Sequence, residues 1–319
     1  MVIFMSKITY MEKLHNYYRI YEQIYENPYL PIDAMAQKIN LSRNTVSKYL
    51  KEMYENKILV GPHLHLNPVA NYTQYVGLFT FSDPLLIHQG LNTFPHVIYH
   101  ALTFGDWNIL AVTDEPLDFS HLRGFETLVY WSPKGSISSP LVTVLDWDCA
   151  FEAIHRLIQE GPHPHHEPRK TLPHLTWGAL EWKLFHLFKY DARQKTTPII
   201  RQMRVRYETV KAWKDTLREC CSFVTGFYPE GFASYSHHCF VCETLYPQMT
   251  AELFSLLPTS SLITQLDKGV LVIVHMKYPE RLRDLFCAIY DMQTTGIIER
   301  FWQASIVYHS HSDRTIQQD

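Results

Sequence analysis

Nothing in the 319-residue sequence reaches the ~18 consecutive apolar residues of a membrane span. Its start, MVIFMSKITYMEKLHNYY, lacks the long apolar stretch and small-residue cleavage site of a signal peptide. The expectation is a soluble, cytoplasmic protein with no membrane partner. Cysteine is scarce. The six present (Cys149, Cys220, Cys221, Cys239, Cys242 and Cys287) are scattered, which excludes a disulfide framework and predicts reduced thiols. There is no excess of positive charge: the net charge is −3 and the pI near 6.6, so any contact with nucleic acid must come from local charge. No Walker loop, dinucleotide glycine fingerprint or nucleophile elbow is present, which leaves nucleotide-dependent enzymology without support. The expectation from these absences is a protein that is not an enzyme and carries no cofactor.

What is present is apolar material for packed cores: 46% of residues are hydrophobic and 19% charged. The length exceeds the roughly 250 residues at which single cores stop growing, so several modules are expected. Residues Ile8 to Tyr25 carry apolar groups at helical spacing, broken by Asn27-Pro28 and Leu30-Pro31. Ile32 to Ile39 reads as a short helix ended by Asn40, which suits a left-handed residue, and Ser42 caps a third helix. In that helix Val46, Leu50 and Met53 share one face, while Arg43, Asn44, Ser47, Lys48 and Lys51 fall largely on the other. Lys57 to Leu66 alternates like two short strands around a turn, the pattern of a wing. From Tyr75 the pattern changes to YVGLFTF, a helix from Pro84, HVIYHALTF, GDWNILAVTD, a helix near Phe119 and LVYWSP. That order, β-α-β-β-α-β, is ferredoxin-like.

The layout then repeats. Thr45-Val46 falls on Thr209-Val210, Tyr49 on Trp213 and Met53 on Leu217 in a gapless alignment, although Ile200 replaces Ala36 and Lys214 replaces the core residue Leu50. HHCFVCETL, Pro247 to Leu257, SLITQLD, GVLVIVHM, Glu280 to Asp291 and FWQASIVYH repeat the sheet module. The predicted class is therefore α+β, a duplicated winged helix-turn-helix followed by a ferredoxin-like module. The predicted bounds are 1–70 for the winged helix, 71–146 for the first ferredoxin-like domain and 147–172 for a helix and His/Pro linker. A second, divergent winged helix (173–231), a second ferredoxin-like domain (232–312) and a tail (313–319) follow.

The segment IDAMAQKINLSRNTVSKYLKEMYENKILVGP resembles the DNA-binding module of the Lrp/AsnC family of bacterial and archaeal regulators. It carries that family's Leu-Ser-Arg turn, Thr-Val-Ser recognition helix and closing hydrophobic strand, and the Gly105-Asp106-Trp107-Asn108 run looks like the Gly-x-Asp turn of its sensing domain. The resemblance implies a transcription regulator that binds double-stranded DNA and pairs its sheet modules, within one chain as a pseudo-dimer or as a homo-oligomer. It also implies that a small metabolite is sensed. Arg43, Asn44, Thr45 and Ser47 suit base contacts, and Lys48 and Lys51 suit phosphates. In the second copy Arg204, Arg206, Lys211 and Lys214 form a locally basic stripe that would add phosphate contacts.

A second resemblance, in architecture, is to the siroheme decarboxylases, which pair winged-helix and Lrp/AsnC-like modules and are in some cases fused into one chain of about this size. It implies a tetrapyrrole enzyme, with His96, His100 and His275 as candidates for binding. His237-His238-Cys239-x-x-Cys242 offers ligand types that zinc prefers, but on a strand Cys239 and Cys242 point to opposite faces, so no metal site is expected there. His163, His165 and His166 read as an exposed hinge.

Overall fold

The computed structural model describes residues 9–143, 146–162 and 171–311. Helix α1 (Tyr10–Glu26) opens on a capping box: the Thr9 hydroxyl accepts from the Glu12 amide, and the Glu12 carboxylate accepts from the Thr9 amide. Its buried face is Tyr17, Ile20, Tyr21 and Ile24, the i, i+3, i+4, i+7 set of one helical stripe. Helices α2 (Ile32–Lys38) and α3 (Arg43–Glu55) follow, with Asn40 left-handed at φ 56° between them and Ser42 capping α3, as the sequence predicts.

The predicted wing hairpin does not form. Residues Leu59–Leu66 make one strand, β1, that pairs antiparallel with β7 (Cys221–Phe227) from the second half of the chain. A bulge after Val60 is fitted by Gly61, whose φ of +87° suits glycine and where a Cβ would lie 2.5 Å from the Val224 carbonyl. The ribbon threads through two cores. Ile58 and Leu59 pack with α1–α3, whereas Leu64 and Leu66 pack with α6 (Ala179–Phe188), α7 (Thr196–Met203) and α8 (Tyr207–Cys220). Phe227, at the far end of β7, returns the exchange by stacking on Tyr21, with ring centroids 4.9 Å apart. Arg193 ties the halves further by donating to the carbonyls of Pro28 and Leu30.

The remaining strands are β2 (Tyr75–Phe81), β3 (Val97–Gly105), β4 (Ile109–Thr113), β5 (Phe125–Pro133), β6 (Ile137–Ser138), β8 (Ser236–Glu243), β9 (Leu262–Leu266), β10 (Gly269–Met276) and β11 (Arg300–His311). They form a single sheet in the order β5-β2-β4-β3-β11-β8-β10-β9-β6. Each half contributes four strands in the ferredoxin-like order, and the halves join edge to edge through β3 and β11. Nine strands laid flat would span about 38 Å. Yet β5 and β6, at opposite ends of the sheet, are joined by residues 134–136, which reach about 14 Å at most. The sheet therefore curls nearly into a barrel, and backbone bonds between Gly135 or Ser136 and Gln265 close the seam. Inside, Val76, Leu78, Trp107 and Leu110 of the first half meet Val241, Leu271 and Ala304 of the second.

Outside, the two halves are covered unequally. Helices α9 (Pro247–Ser255), α10 (Pro279–Thr294) and α5 (Trp147–Glu160) cover the second. The first has α4 (Pro84–Leu91) and a three-residue turn, Phe119–His121, in place of the predicted second helix; Pro116 and Gly124 leave it no room to extend. The helix predicted in the linker thus belongs to the outer layer of the second half. Helix α6 opens at Ala179, where the Glu181 carboxylate accepts from the Gly178 amide. No helix among the described residues is long and apolar enough to cross a membrane.

Candidate functional site

Where the mouth of the curled sheet meets the β1–β7 ribbon and α6, the chain encloses a cavity of about 910 Å³. That is toward the upper end of small-molecule sites, roughly 300–1,000 Å³. Aliphatic side chains such as Val76, Leu110, Leu271 and Ile273 make up much of its wall, and eight histidines line it. Strand parity explains how the histidines arrive there. On β1, Leu64 and Leu66 point into the second winged-helix core, so the alternate residues His63 and His65 face the other way. On the sheet, the β8–β10 register sets His237 directly opposite His275, with ring centroids 4.9 Å apart, and Phe232 stacks on His237. On β11, His309 and His311 flank the Tyr99 ring from the neighbouring β3.

Burial has disarmed these bases. His275 is pushed down to about 3, first by burial and then by His237, although its bond to the Ser260 carbonyl opposes the shift. His65 is also pushed to about 3, by burial and then by the neighbouring Lys134 ammonium. His237 falls to about 4, through burial and then His309 and His238. Each is neutral at pH 7 and presents a lone pair. For His275 the tautomer is fixed. A carbonyl can only accept, so Nδ1 donates to Ser260 over 2.9 Å and the lone pair sits on Nε2. Nδ1 of His237 is buried without a hydrogen-bond partner.

Lys134 lies on the cavity wall between β5 and β6. Burial alone lowers it, to about 8, and none of the described carboxylates pairs with it. Lys134 is half-buried, and a lysine drawn from water on an apolar wall with no carboxylate beside it suits an anion that the protein does not supply. Lys189, at the end of α6, is the second lysine of the lining. The lining's carboxylate is Asp114, held 3.0 Å from the His96 ring.

Of the three histidines suggested for a tetrapyrrole, His96 and His275 line the cavity and His100 does not. His100 is fully buried on the opposite face of β3 from Tyr99, its Nδ1 3.0 Å from Nδ1 of His88. The expected DNA face of α3 is solvated at Arg43, Asn44, Ser47, Lys48 and Lys51, while Thr45 is half-buried against the Ser42 cap. Arg43 pairs with Asp33 at 2.8 Å and Lys51 with Glu55 at 3.7 Å. In the second copy Arg204, Arg206 and Lys211 are exposed. Lys214 is not on that face: it occupies the core position of Leu50 and turns inward, its ammonium 4.1 Å from the Phe188 ring centroid.

Of the His/Cys cluster His237 lines the cavity, and the other three residues are held within the sheet. Nε2 of His238 meets Ser236 and Nδ1 meets Ser305, while Cys239 packs inside the sheet and Cys242 outside it. Among the described residues no group of three or more His, Cys, Asp or Glu could hold a metal ion. His163, His165 and His166 lie outside the described residues. Sequence reasoning missed His63, His65 and Lys134 as site residues. The His-Leu-His-Leu alternation was a usable sign of a strand with one polar face, but nothing in the sequence marks Lys134.

A family model for winged helix-turn-helix DNA-binding domains matches residues 18–59. No curated protein matches the sequence significantly. Among solved structures, the crystal structure of the siroheme decarboxylase NirDL is similar over 92% of this chain and 91% of its own, at 12% identity and a TM-score of 0.51. The same enzyme in co-complex with an iron-uroporphyrin III analogue matches at 12% identity and a TM-score of 0.48, covering 92% of each chain. A transcriptional regulatory protein from Pyrococcus furiosus, a member of the AsnC family, matches 37% of this chain and 86% of its own, at 14% identity and a TM-score of 0.28. The expectation of a non-enzymatic protein is corrected by the first of these, since the chain follows an enzyme's fold along nearly its whole length.

Proposed function

We propose that this chain is a tetrapyrrole decarboxylase that holds its substrate in the cavity between the β1–β7 ribbon and the curled sheet. The observation that carries the reading is the cavity's chemistry: aliphatic walls, neutral imidazoles and the unpaired ammonium of Lys134 around one large space. A flat macrocycle with carboxylate arms needs this combination of apolar surface for its faces and a cation for an arm. The likeness in fold to a siroheme decarboxylase supports it.

Decarboxylation breaks the bond between a carboxylate and its methylene carbon. CO₂ leaves, the electron pair stays on the carbon conjugated with the pyrrole ring, and a proton replaces the lost group. An apolar site favours the step because the charge on the carboxylate is dispersed as the bond breaks. A proton donor that titrates close to neutrality suits the second half, and Lys134, at about 8, has that property. His275 and His237, side by side on the cavity wall, are the imidazoles that would hold a bound ring.

In this reading residues 1–70 with 71–146, and 173–231 with 232–312, are two copies of one module. The chain is its own pseudo-dimer. The test is to incubate the full chain with siroheme under reducing conditions and follow the products by mass spectrometry. The same incubation is run with iron tetrapyrroles of fewer carboxylates: loss of CO₂ from any of these rings that disappears in Lys134→Met supports the reading, and all of them unchanged with a folded protein rejects it.

The solvated polar face of α3 and the family match over residues 18–59 favour a second reading, in which α3 contacts DNA. Mobility shift with fragments of the upstream region, comparing wild type with Arg43→Ala/Lys48→Ala, decides it: binding lost in the double variant supports contact, and no binding by the wild type removes it.

A further inference from the structure

The charge inventory of the cavity narrows the substrate. The proposal below rests on the tetrapyrrole reading and concerns how many carboxylates the ring carries. A carboxylate taken out of water must be met by a cation or by several hydrogen bonds, or its burial costs several kcal/mol. The described lining offers two ammonium groups, Lys134 and Lys189, and no guanidinium. Three of its imidazoles, His65, His237 and His275, add lone pairs rather than charge, since they are held in the neutral form, and His96 already faces Asp114. Asp114 adds a negative charge of its own. The remaining wall is largely aliphatic and aromatic, surface that welcomes the unsubstituted or alkyl edge of a macrocycle and penalises a charged one.

We infer that the cavity takes a tetrapyrrole with few carboxylates, on the order of two, one of them seated on Lys134, rather than a ring bordered by carboxylates on every pyrrole. Lys134 sits at the seam where the two ends of the sheet meet, so that carboxylate is anchored at the junction of the two halves. The other arms of the ring face aliphatic wall, where methyl, vinyl or ethyl groups are favoured.

The experiment titrates the full chain with three iron porphyrins of falling charge (iron uroporphyrin, iron coproporphyrin and iron protoporphyrin), following the Soret band, for wild type and Lys134→Gln. The expected result is one ring per chain, affinity at least ~10-fold higher for the dicarboxylate protoporphyrin than for the octacarboxylate uroporphyrin, and a loss of about 10-fold in protoporphyrin affinity in Lys134→Gln. Circular dichroism confirms that the variant is folded. Uroporphyrin binding as tightly as protoporphyrin overturns the inference while leaving the tetrapyrrole reading standing. Protoporphyrin binding that exceeds one per chain and ignores Lys134→Gln is surface adsorption and also overturns it. No binding of any of the three by a folded chain rejects the tetrapyrrole reading itself.

Discussion

The outer face of α3 and the wall of the cavity both carry basic side chains, and the fold treats them in opposite ways. On α3 the bases stay in water: Arg43 and Lys51 reach surface carboxylates, pairs worth ~0–1 kcal/mol. In the cavity Lys134 is half-buried without a carboxylate partner, and desolvation holds His65, His237 and His275 neutral. Groups held away from their preferred protonation state raise the free energy of the empty protein, and a ligand that satisfies them recovers it. The wing teaches the same lesson from the other side. In a DNA-reading winged helix that strand is available at the surface, whereas here β1 is paired to β7 and its histidines line the cavity. On the proposed reading this difference favours the cavity over α3 as the place of the chain's chemistry.

The largest effect that would break this comparison is on the element common to both regions. Phe227→Ala removes a fully buried ring from the core of the first winged helix and loosens the ribbon that closes the cavity. A loss of about 3–5 kcal/mol in urea-induced unfolding is expected. Next comes pH. His275 is protonated more easily when unfolded than folded, so its contribution to stability is complete above about pH 6.5 and is lost as pH falls toward its folded value near 3. Between pH 7 and pH 5 the fall attributable to this residue is about 2 kcal/mol, read as a shift of the urea midpoint, and His275→Phe should flatten it.

Lys134 acts in the same direction, at higher pH. Its folded value is depressed, so the ammonium costs stability below about pH 8, and that cost is relieved as pH rises toward the unfolded value. Lys134→Met is expected to stabilise the ligand-free chain by about 1–2 kcal/mol while weakening tetrapyrrole binding by about 10-fold, the signature of a site held at the expense of stability. The smallest effect belongs to α3. Arg43→Ala/Lys48→Ala should leave thermal stability within about 0.5 kcal/mol and tetrapyrrole affinity within about twofold, whatever it does to DNA.

Much of the first half was legible in the sequence because its signals are local. The capping Ser42, the left-handed Asn40 and the apolar stripe Val46, Leu50 and Met53 each act within a few residues, and all three hold. The partnership of β1 was not legible, because its partner lies more than 150 residues away and a strand's pattern shows which face is buried but not what pairs with its edge. The same limit hid the cavity. His65, Lys134, His275 and His309 come from four distant parts of the chain and meet only once the sheet has curled. His100 shows how close parity comes to an answer: one residue earlier on β3, Tyr99 faces the cavity, while His100 faces α4. Lys214 gave its own warning, since a lysine standing where the first copy has a core leucine must either break the packing or turn its stem inward, and it turns inward.

The most direct test of the central claim is a crystal structure of the chain with an iron porphyrin diffused in. The account predicts the macrocycle between the β1 histidines and the His237–His275 pair, with a carboxylate within about 3 Å of Lys134 Nζ. A cavity without the ring, or a ring lying against α3 or another outer surface, would contradict it.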